Sequence, residues 1–292
     1  MIADAPAATD LAELVAALDA ELACPDLPDY GGAWNGLQIA NRSGRVQRIA
    51  AAVDASLPVF RQAIDSGADL LLVHHGMFWQ GVQPLTGAAF EKVRLAIDHN
   101  LALYSAHLPL DAHPTLGNNA RLAQALGLEP LSEQDSGTSA GAGAATGDHD
   151  TATPGPSPSP PAGWHPCFDY KGLAVGLKAR VEVARDDLLL RVRQAVGGPV
   201  HCCPGGPDPI RRLAVVTGGA GSEVGRMPAE GVDTLITGEG PHWTYSMAEE
   251  LGVNVIYAGH YATETFGVKA LADWLEQRFG LPWTFIDHPT GL

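Results

Sequence analysis

Apolar residues along this chain follow two rhythms. In the first segment they recur at helical spacing, which predicts an amphipathic helix over about residues 9–22. The stretches RIAAAVDA (48–55), SGADLLLVHHG (66–76) and NLALYSAHLPLD (100–111) instead carry short unbroken apolar runs beside Gly or Asn, the pattern of buried strands. Helical spacing returns between and after them, in LPVFRQAIDSGA (57–68), AAFEKVRLAIDHN (88–100) and NNARLAQALGL (118–128). The second half repeats the alternation, with strand patterns in RLAVVTGG (212–219), EGVDTLITGEG (230–240) and VNVIYAGHYATE (253–264). Its helical patterns are TYSMAEELG (244–252) and ETFGVKALADWLEQRFG (264–280). Strands alternating with helices predict an α/β fold, mainly parallel sheets with flanking helices.

The two halves match each other. RIAAAVDA aligns with RLAVVTGG, and SGADLLLVHHG with EGVDTLITGEG, both at an offset of 164 residues. NLALYSAHLPLD aligns with VNVIYAGHYATE at an offset of 153, and the difference of eleven residues falls in the insertion GMFWQGVQPLT (76–86). This predicts two duplicated α/β lobes related by a pseudo-two-fold axis. Residues 132–163 contain no Leu, Ile, Val, Met or aromatic side chain, so they cannot bury enough apolar area to offset the entropy of ordering them. They are expected to be a disordered Gly/Ala/Ser/Pro linker between an N-terminal lobe (1–131) and a C-terminal lobe (164–292).

Composition narrows the function classes. The 292 residues carry 18 basic and 33 acidic side chains, a net charge of −15. That surface repels nucleic-acid phosphates and anionic lipid, and no nucleic-acid or membrane partner is expected. No apolar run reaches membrane-spanning length, and the N-terminus lacks the basic region of a signal peptide. The four cysteines, Cys24, Cys167, Cys202 and Cys203, form no C-x-x-C pair and read as reduced thiols of a cytoplasmic protein.

The chemistry lies at the expected strand tips. The third repeat ends twice in His-x-x-x-acid, as His107 with Asp111 and His260 with Glu264. Ligands of α/β sheets bind beyond the carboxyl ends of the strands, and a spacing of four brings both side chains of each pair to one point. His74 and His75 end another strand, where alternation relaxes before Gly76 and both rings can turn inward. Adjacent imidazoles suit two cations about 3.5–4 Å apart, with a carboxylate between them. Nitrogen and carboxylate donors together favour zinc, iron, manganese or nickel over magnesium or calcium. Asp54 and Glu239 also lie near strand tips, where a helix cap or a solvated carboxylate is the plainer reading and orientation of a ligand histidine the sharper one. His242 lies near the same tip. His99, His113, His165, His201 and His288 read as surface or structural, while Trp79 is placed to wall a substrate pocket. TGGAGSE (217–223) has amides suited to an anion, but the chain has no P-loop and no G-x-S-x-G elbow.

At these residues the sequence resembles the dinuclear-metal, toroidal hexamer family called NGG-one-interacting-factor-three-like, often labelled GTP cyclohydrolase 1 type 2 homologue. The matching stretches include WNGLQIA (34–40), LLLVHHG (70–76), YSAHLPLDA (104–112), DTLITGEGPHW (233–243) and AGHYATETFGVKALADWL (258–275). The resemblance implies two metal ions per chain, His74 and His260 on one, His75 and Asp111 on the other, with Glu264 bridging. It places His107 beside them as an acid/base group and implies a homohexamer, a trimer of dimers, acting on a small-molecule substrate. Leu108-Pro109 replaces the family's usual Thr-Asn, and Trp34 stands where Asp commonly precedes Asn. Many relatives carry a folded middle domain, where this chain has its linker and a short βαβ-like piece (172–203). Two functions follow: a two-metal hydrolase, or a metal-binding scaffold or metallochaperone without turnover.

Overall fold

The structure, a computed structural model, describes residues 8–131 and 159–292. Most of the expected linker, 132–158, lies outside the described residues. The first half contains β1 (Thr9–Asp10), α1 (Leu11–Leu22), β2 (Gly36–Ile39), β3 (Arg45–Val46), β4 (Ile49–Asp54), α2 (Leu57–Asp65), β5 (Leu70–His75), α3 (Gly87–Asp98), β6 (Ala102–Ser105), α4 (Leu108–Asp111) and α5 (Asn118–Ala125). The second contains β7 (His165–Tyr170), β8 (Leu173–Val183), α6 (Arg185–Val196), β9 (His201–Pro204), β10 (Ile210–Val215), α7 (Met227–Glu230), β11 (Thr234–Thr237), α8 (Trp243–Leu251), β12 (Asn254–Tyr257), α9 (His260–Thr263), α10 (Thr265–Phe279) and β13 (Trp283–Phe285).

Local chemistry sets the boundaries. The predicted first helix begins two residues late, because the Asp10 carboxylate caps it by accepting from the amides of Ala12 and Glu13. Its buried face is Leu11, Leu14, Leu18 and Leu22, the helical stripe that the sequence carries. The left-handed Ala23 ends it.

Two mixed sheets form the framework. One has the order β13-β4-β5-β6-β2 and the other β7-β8-β10-β11-β12-β9. The repeat appears as two parallel triplets, β4-β5-β6 and β10-β11-β12, each edged by an antiparallel strand that precedes it in the chain, β2 or β9. Strand alternation sends successive residues to opposite faces. In the first sheet Ile49, Ala51, Leu70, Leu72 and Tyr104 face α1 and α10, while Ala50, Leu71, Val73 and Leu103 face α2 and α3. In the second, Leu213, Val215, Ile236 and Ile256 face α5 and α6, and Ala214, Leu235 and Val255 face α7 and α8. Both faces of each sheet are therefore covered, which is why the strands read as nearly continuous apolar runs.

The halves exchange helices, so the expected lobe boundary needs correction. After β6 the chain crosses and packs Leu122, Ala123 and Leu126 against the second sheet. After β12 it crosses back, burying Val268, Leu271 and Leu275 against the first sheet, where β13 pairs in parallel with β4. Residues 164–292 thus do not remain in one lobe: the final helix and strand complete the other. Apolar burial drives the exchange, at about 1.5–3 kcal/mol per fully buried leucine-sized side chain. The βαβ-like piece also differs from its reading, since β8 and β9 flank the β10-β11-β12 triplet on opposite sides and do not pair. The crossing helices meet where Asn118 Oδ1 accepts from the Gly267 amide at 2.6 Å, close to the strand tips.

Candidate metal centre

Parallel register brings the chemistry to one edge. In β5 His75 is the register partner of Asp54 at the end of β4. His107 follows β6, and His260 follows β12 after the left-handed Gly259. His107 and Asp111 bracket one short helical turn, as do His260 and Glu264.

Each of the four histidines is held by the same device. The Nδ1 of His75 contacts Asp54 Oδ1 at 2.8 Å, that of His107 contacts Asp29 Oδ1 at 2.8 Å, and that of His260 contacts Glu239 Oε1 at 2.7 Å. His74 Nδ1 contacts the Ala106 carbonyl at 2.8 Å. Ionised carboxylates and carbonyls only accept, so in each neutral ring the proton sits on Nδ1 and the Nε2 lone pair faces the centre. Three of these Nε2 atoms converge on one carboxylate. Glu264 Oε1 lies 3.1 Å from His260 and 3.5 Å from His74, and Oε2 lies 3.3 Å from His75. Asp111 Oδ2 lies 3.4 Å from His74 Nε2.

These are contacts between acceptors. His74 Nε2 and Glu264 Oε2 are buried and have no hydrogen-bond partner, a costly arrangement unless a cation lies between them. With metal–donor bonds of about 2.1 Å and a tetrahedral angle, two ligands of one ion stand about 3.4 Å apart, which is the spacing found. The donor set therefore fits a divalent ion. Two convergent triads share Glu264: His74 with Asp111, and His75 with His260. These two groups differ from the pairing implied by the resemblance, His74 with His260 and His75 with Asp111. The cause is the β5 alternation, which turns His74 toward the α4 side and His75 toward α9. His74, His75 and His107 form a third convergent group.

The electrostatics express the same demand for positive charge. Burial disfavours a charged ring at His74, yet Asp111 and Glu264 outweigh it and hold its pKa well above the ordinary value. At His260 burial is likewise overcome, by Glu264 and Glu239, and the pKa is pushed up to about 9. Burial would raise Glu264, but His74, His260 and His75 keep it far below the usual carboxylate range. Further contacts fix the two acids. Asp111 Oδ1 accepts from Asn118 Nδ2 at 2.8 Å and Thr217 Oγ1 at 3.2 Å, which leaves Oδ2 for the His74 side. Gly218 has φ +71°, and a Cβ there would collide with Glu264 Oε1, so the site requires glycine.

A model of the Duf34/NIF3 (NGG1p interacting factor 3) family matches residues 9–290. The chain belongs to the Duf34/NIF3 family. It is 40% identical over 260 residues to a protein of Deinococcus radiodurans named GTP cyclohydrolase 1 type 2 homolog, covering 88% of this chain and 86% of that protein. Among solved structures, the protein ybgI, described as of unknown function, superimposes with a TM-score of 0.78 at 31% identity, covering 97% of this chain and 100% of that one. TTHA1606 from Thermus thermophilus gives a TM-score of 0.74 at 38% identity, again covering 97% of this chain and 100% of that one.

In this Duf34/NIF3 chain a cavity of about 480 Å³ opens onto the cluster, reaching His75, His107, Asp111, His260 and Glu264. Trp79 walls it as its place in the insertion suggested, with its ring 4.5 Å from that of His107 and 5.4 Å from that of His75. Asp54 and Glu239 contact the Nδ1 atoms of His75 and His260 and orient those rings. His242 lies just before α8 and is not among the cavity residues. Four of the amides of 217–223 donate within the protein: Thr217 to Asn119, Gly218 to Thr263, Ala220 to Thr237 and Gly221 to the Glu239 carbonyl. Asp29 is the residue that sequence reasoning missed. It accepts from His107, from Asn35 Nδ2 and from the Tyr30 and Leu108 amides, and the Asp29-Tyr30 loop gives no periodic signal of this. Among the described residues no helix is long and apolar enough to cross a membrane.

Proposed function

We propose that this protein is a dinuclear metal-dependent hydrolase of a small molecule. The observation that carries the reading is the sharing of the buried Glu264 by two triads of inward-facing donors at the end of an open cavity. His74, Asp111 and Glu264 would hold one divalent ion, and His75, His260 and Glu264 the other. Bound there, such ions supply Lewis acidity toward a polar bond and acidify water near neutral pH. His107 lines the same cavity with its Nδ1 held by Asp29, which leaves Nε2 to exchange a proton with substrate. Trp79 and Tyr30, beside His107, limit the approach of bulk water. A scaffold or metallochaperone without turnover would need the same donors but no substrate cavity, and the cavity favours the enzyme.

The relatives' name suggests a purine-ring hydrolysis as the first activity to assay. GTP, other nucleotides and their nucleosides are incubated with metal-loaded protein, with and without chelator. Chelator-sensitive product formation that is lost in His107→Ala supports the hydrolase. Full metal loading with no turnover across the panel assigns the protein to the scaffold class. The homohexamer, a trimer of dimers, belongs to the same proposal, and light scattering on the eluted protein tests it.

A further inference from the structure

The cavity before the metal centre is aromatic along one side and carries four acids, Asp54, Asp111, Glu223 and Glu264. The Tyr170 and Tyr30 rings lie 4.9 Å apart, Tyr30 is 5.9 Å from the His107 ring, and Trp79 continues the wall at 4.5 Å from His107. Beyond the cluster's own acids, Asp54 and Glu223 also line the space. Among the described residues that line it, Arg226 is the one Lys or Arg, and it is already engaged. It binds Glu223 Oε2 at 2.6 Å and the Asp169 carbonyl at 3.1 Å, and it rests 5.6 Å from the centroid of the Phe168 ring. Lys171 sits 5.0 Å from the centroid of the Tyr170 ring and is not among the lining residues. In the neighbouring glycine loop the amides of Thr217, Gly218, Ala220 and Gly221 donate within the protein, as described above, and are not free to meet a phosphate.

We infer that the ligand of this cavity is a planar, uncharged or cationic ring compound bearing N–H donors, without phosphate groups. A flat ring stacks on the tyrosines and Trp79, and its N–H groups meet carboxylates that can only accept. A volume of about 480 Å³ suits a molecule of nucleoside size. A triphosphate would find Arg226 already paired with Glu223, and the chain's net charge of −15 slows the approach of any anion. Two divalent ions only offset the acids that bind and orient around them. The inference rests on the proposed function, in that it takes this cavity as the substrate site of the metal centre.

The test is calorimetric titration of manganese-loaded protein with guanosine, adenosine and GTP at physiological ionic strength, alongside elemental analysis. The nucleosides are expected to bind at least tenfold more tightly than GTP. Tyr30→Ala and Tyr170→Ala should each weaken nucleoside binding about tenfold without loss of metal, as expected when a stacking face is removed. Glu223→Ala releases Arg226 and should raise GTP affinity severalfold. GTP binding as tightly as the nucleosides, no binding of either nucleoside, or tyrosine variants that bind unchanged would each overturn the inference. The titrations are repeated on chelator-treated protein. A preparation that takes up no metal defeats the metal-hydrolase reading, while the nucleoside-to-GTP ranking of the metal-free protein still decides the character of the cavity.

Discussion

Replacing Glu264 by Gln is the sharpest perturbation of the proposed centre. The side chain keeps its shape and loses its charge, and it is 2% exposed, so water cannot compensate. Both triads lose their shared anion, because Oε1 serves His74 and His260 while Oε2 serves His75. Removing one partner of a buried charge pair costs about 3–5 kcal/mol, which is about two to three and a half decades of affinity for each ion at about 1.4 kcal/mol per decade. Asp111→Asn is the internal comparison, since Asp111 belongs to the His74 triad alone. The assay is elemental analysis after exhaustive dialysis, with a thermal melt to show that each variant is folded. The expected metal content per chain is two ions in the native protein, one in Asp111→Asn and none in Glu264→Gln. A folded Glu264→Gln that retains both ions, or an Asp111→Asn that loses both, refutes the shared-carboxylate argument.

Other consequences can be checked independently. Asp54→Ala and Glu239→Ala free the rings of His75 and His260 and should each lower metal affinity about 10–100-fold, read by competition with a chromophoric chelator. Leu271→Ala, fully buried between α10 and the first sheet, should cost about 2–5 kcal/mol, measured as a drop in the urea midpoint at constant m-value. Burial pushes Cys24 and Cys203 up to about 11 and Cys167 up to about 12. Their thiolate fraction near pH 8 is therefore about one in a thousand or less. A chromogenic disulfide reagent should leave all three unmodified in the folded protein and react with them only after denaturation.

Much of the fold was legible because the chain states it twice. The apolar runs at 48–55, 66–76 and 100–111 became β4, β5 and β6, and their repeats became β10, β11 and β12. The convergent histidines were legible because each stands at or just past a strand tip, where the end of alternation frees a side chain, and Asp111 and Glu264 follow one short helical turn later. What could not be read was tertiary. Asp29 reaches His107 across 78 positions through an irregular loop, and nothing local distinguishes it from a solvated acid. Asp54 and Glu239 precede helices, so capping was an equally natural use for them. The allocation of donors to triads depended on which side of β5 each ring faces, and adjacency in sequence does not reveal that. The lobe boundary was misplaced because contiguity was taken for packing, whereas α5 and α10 each cover the sheet of the other half.

The repeat also explains why the site has one centre and not two. At the aligned offsets His107 corresponds to His260 and Asp111 to Glu264. In each half the histidine is steered by a carboxylate, Asp29 or Glu239. The second strand tip breaks the symmetry. His74 and His75 align with Gly238 and Glu239, and Asp54 aligns with Gly218. Where the first half has donors, the second has room: a Cβ at Gly218 would collide with Glu264 Oε1, and one at Gly238 would meet the His260 backbone at 2.5 Å. Those glycines let His260 and Glu264 close over the imidazoles of the first half, and Glu239 orients the His260 ring instead of joining the cluster. The two repeats thus supply two half-sites, and the glycines at one strand tip leave room for them to meet around a single carboxylate. Restoring a side chain at Gly218 should push Glu264 off the shared position and undo that merger, even though Gly218 contributes no donor of its own.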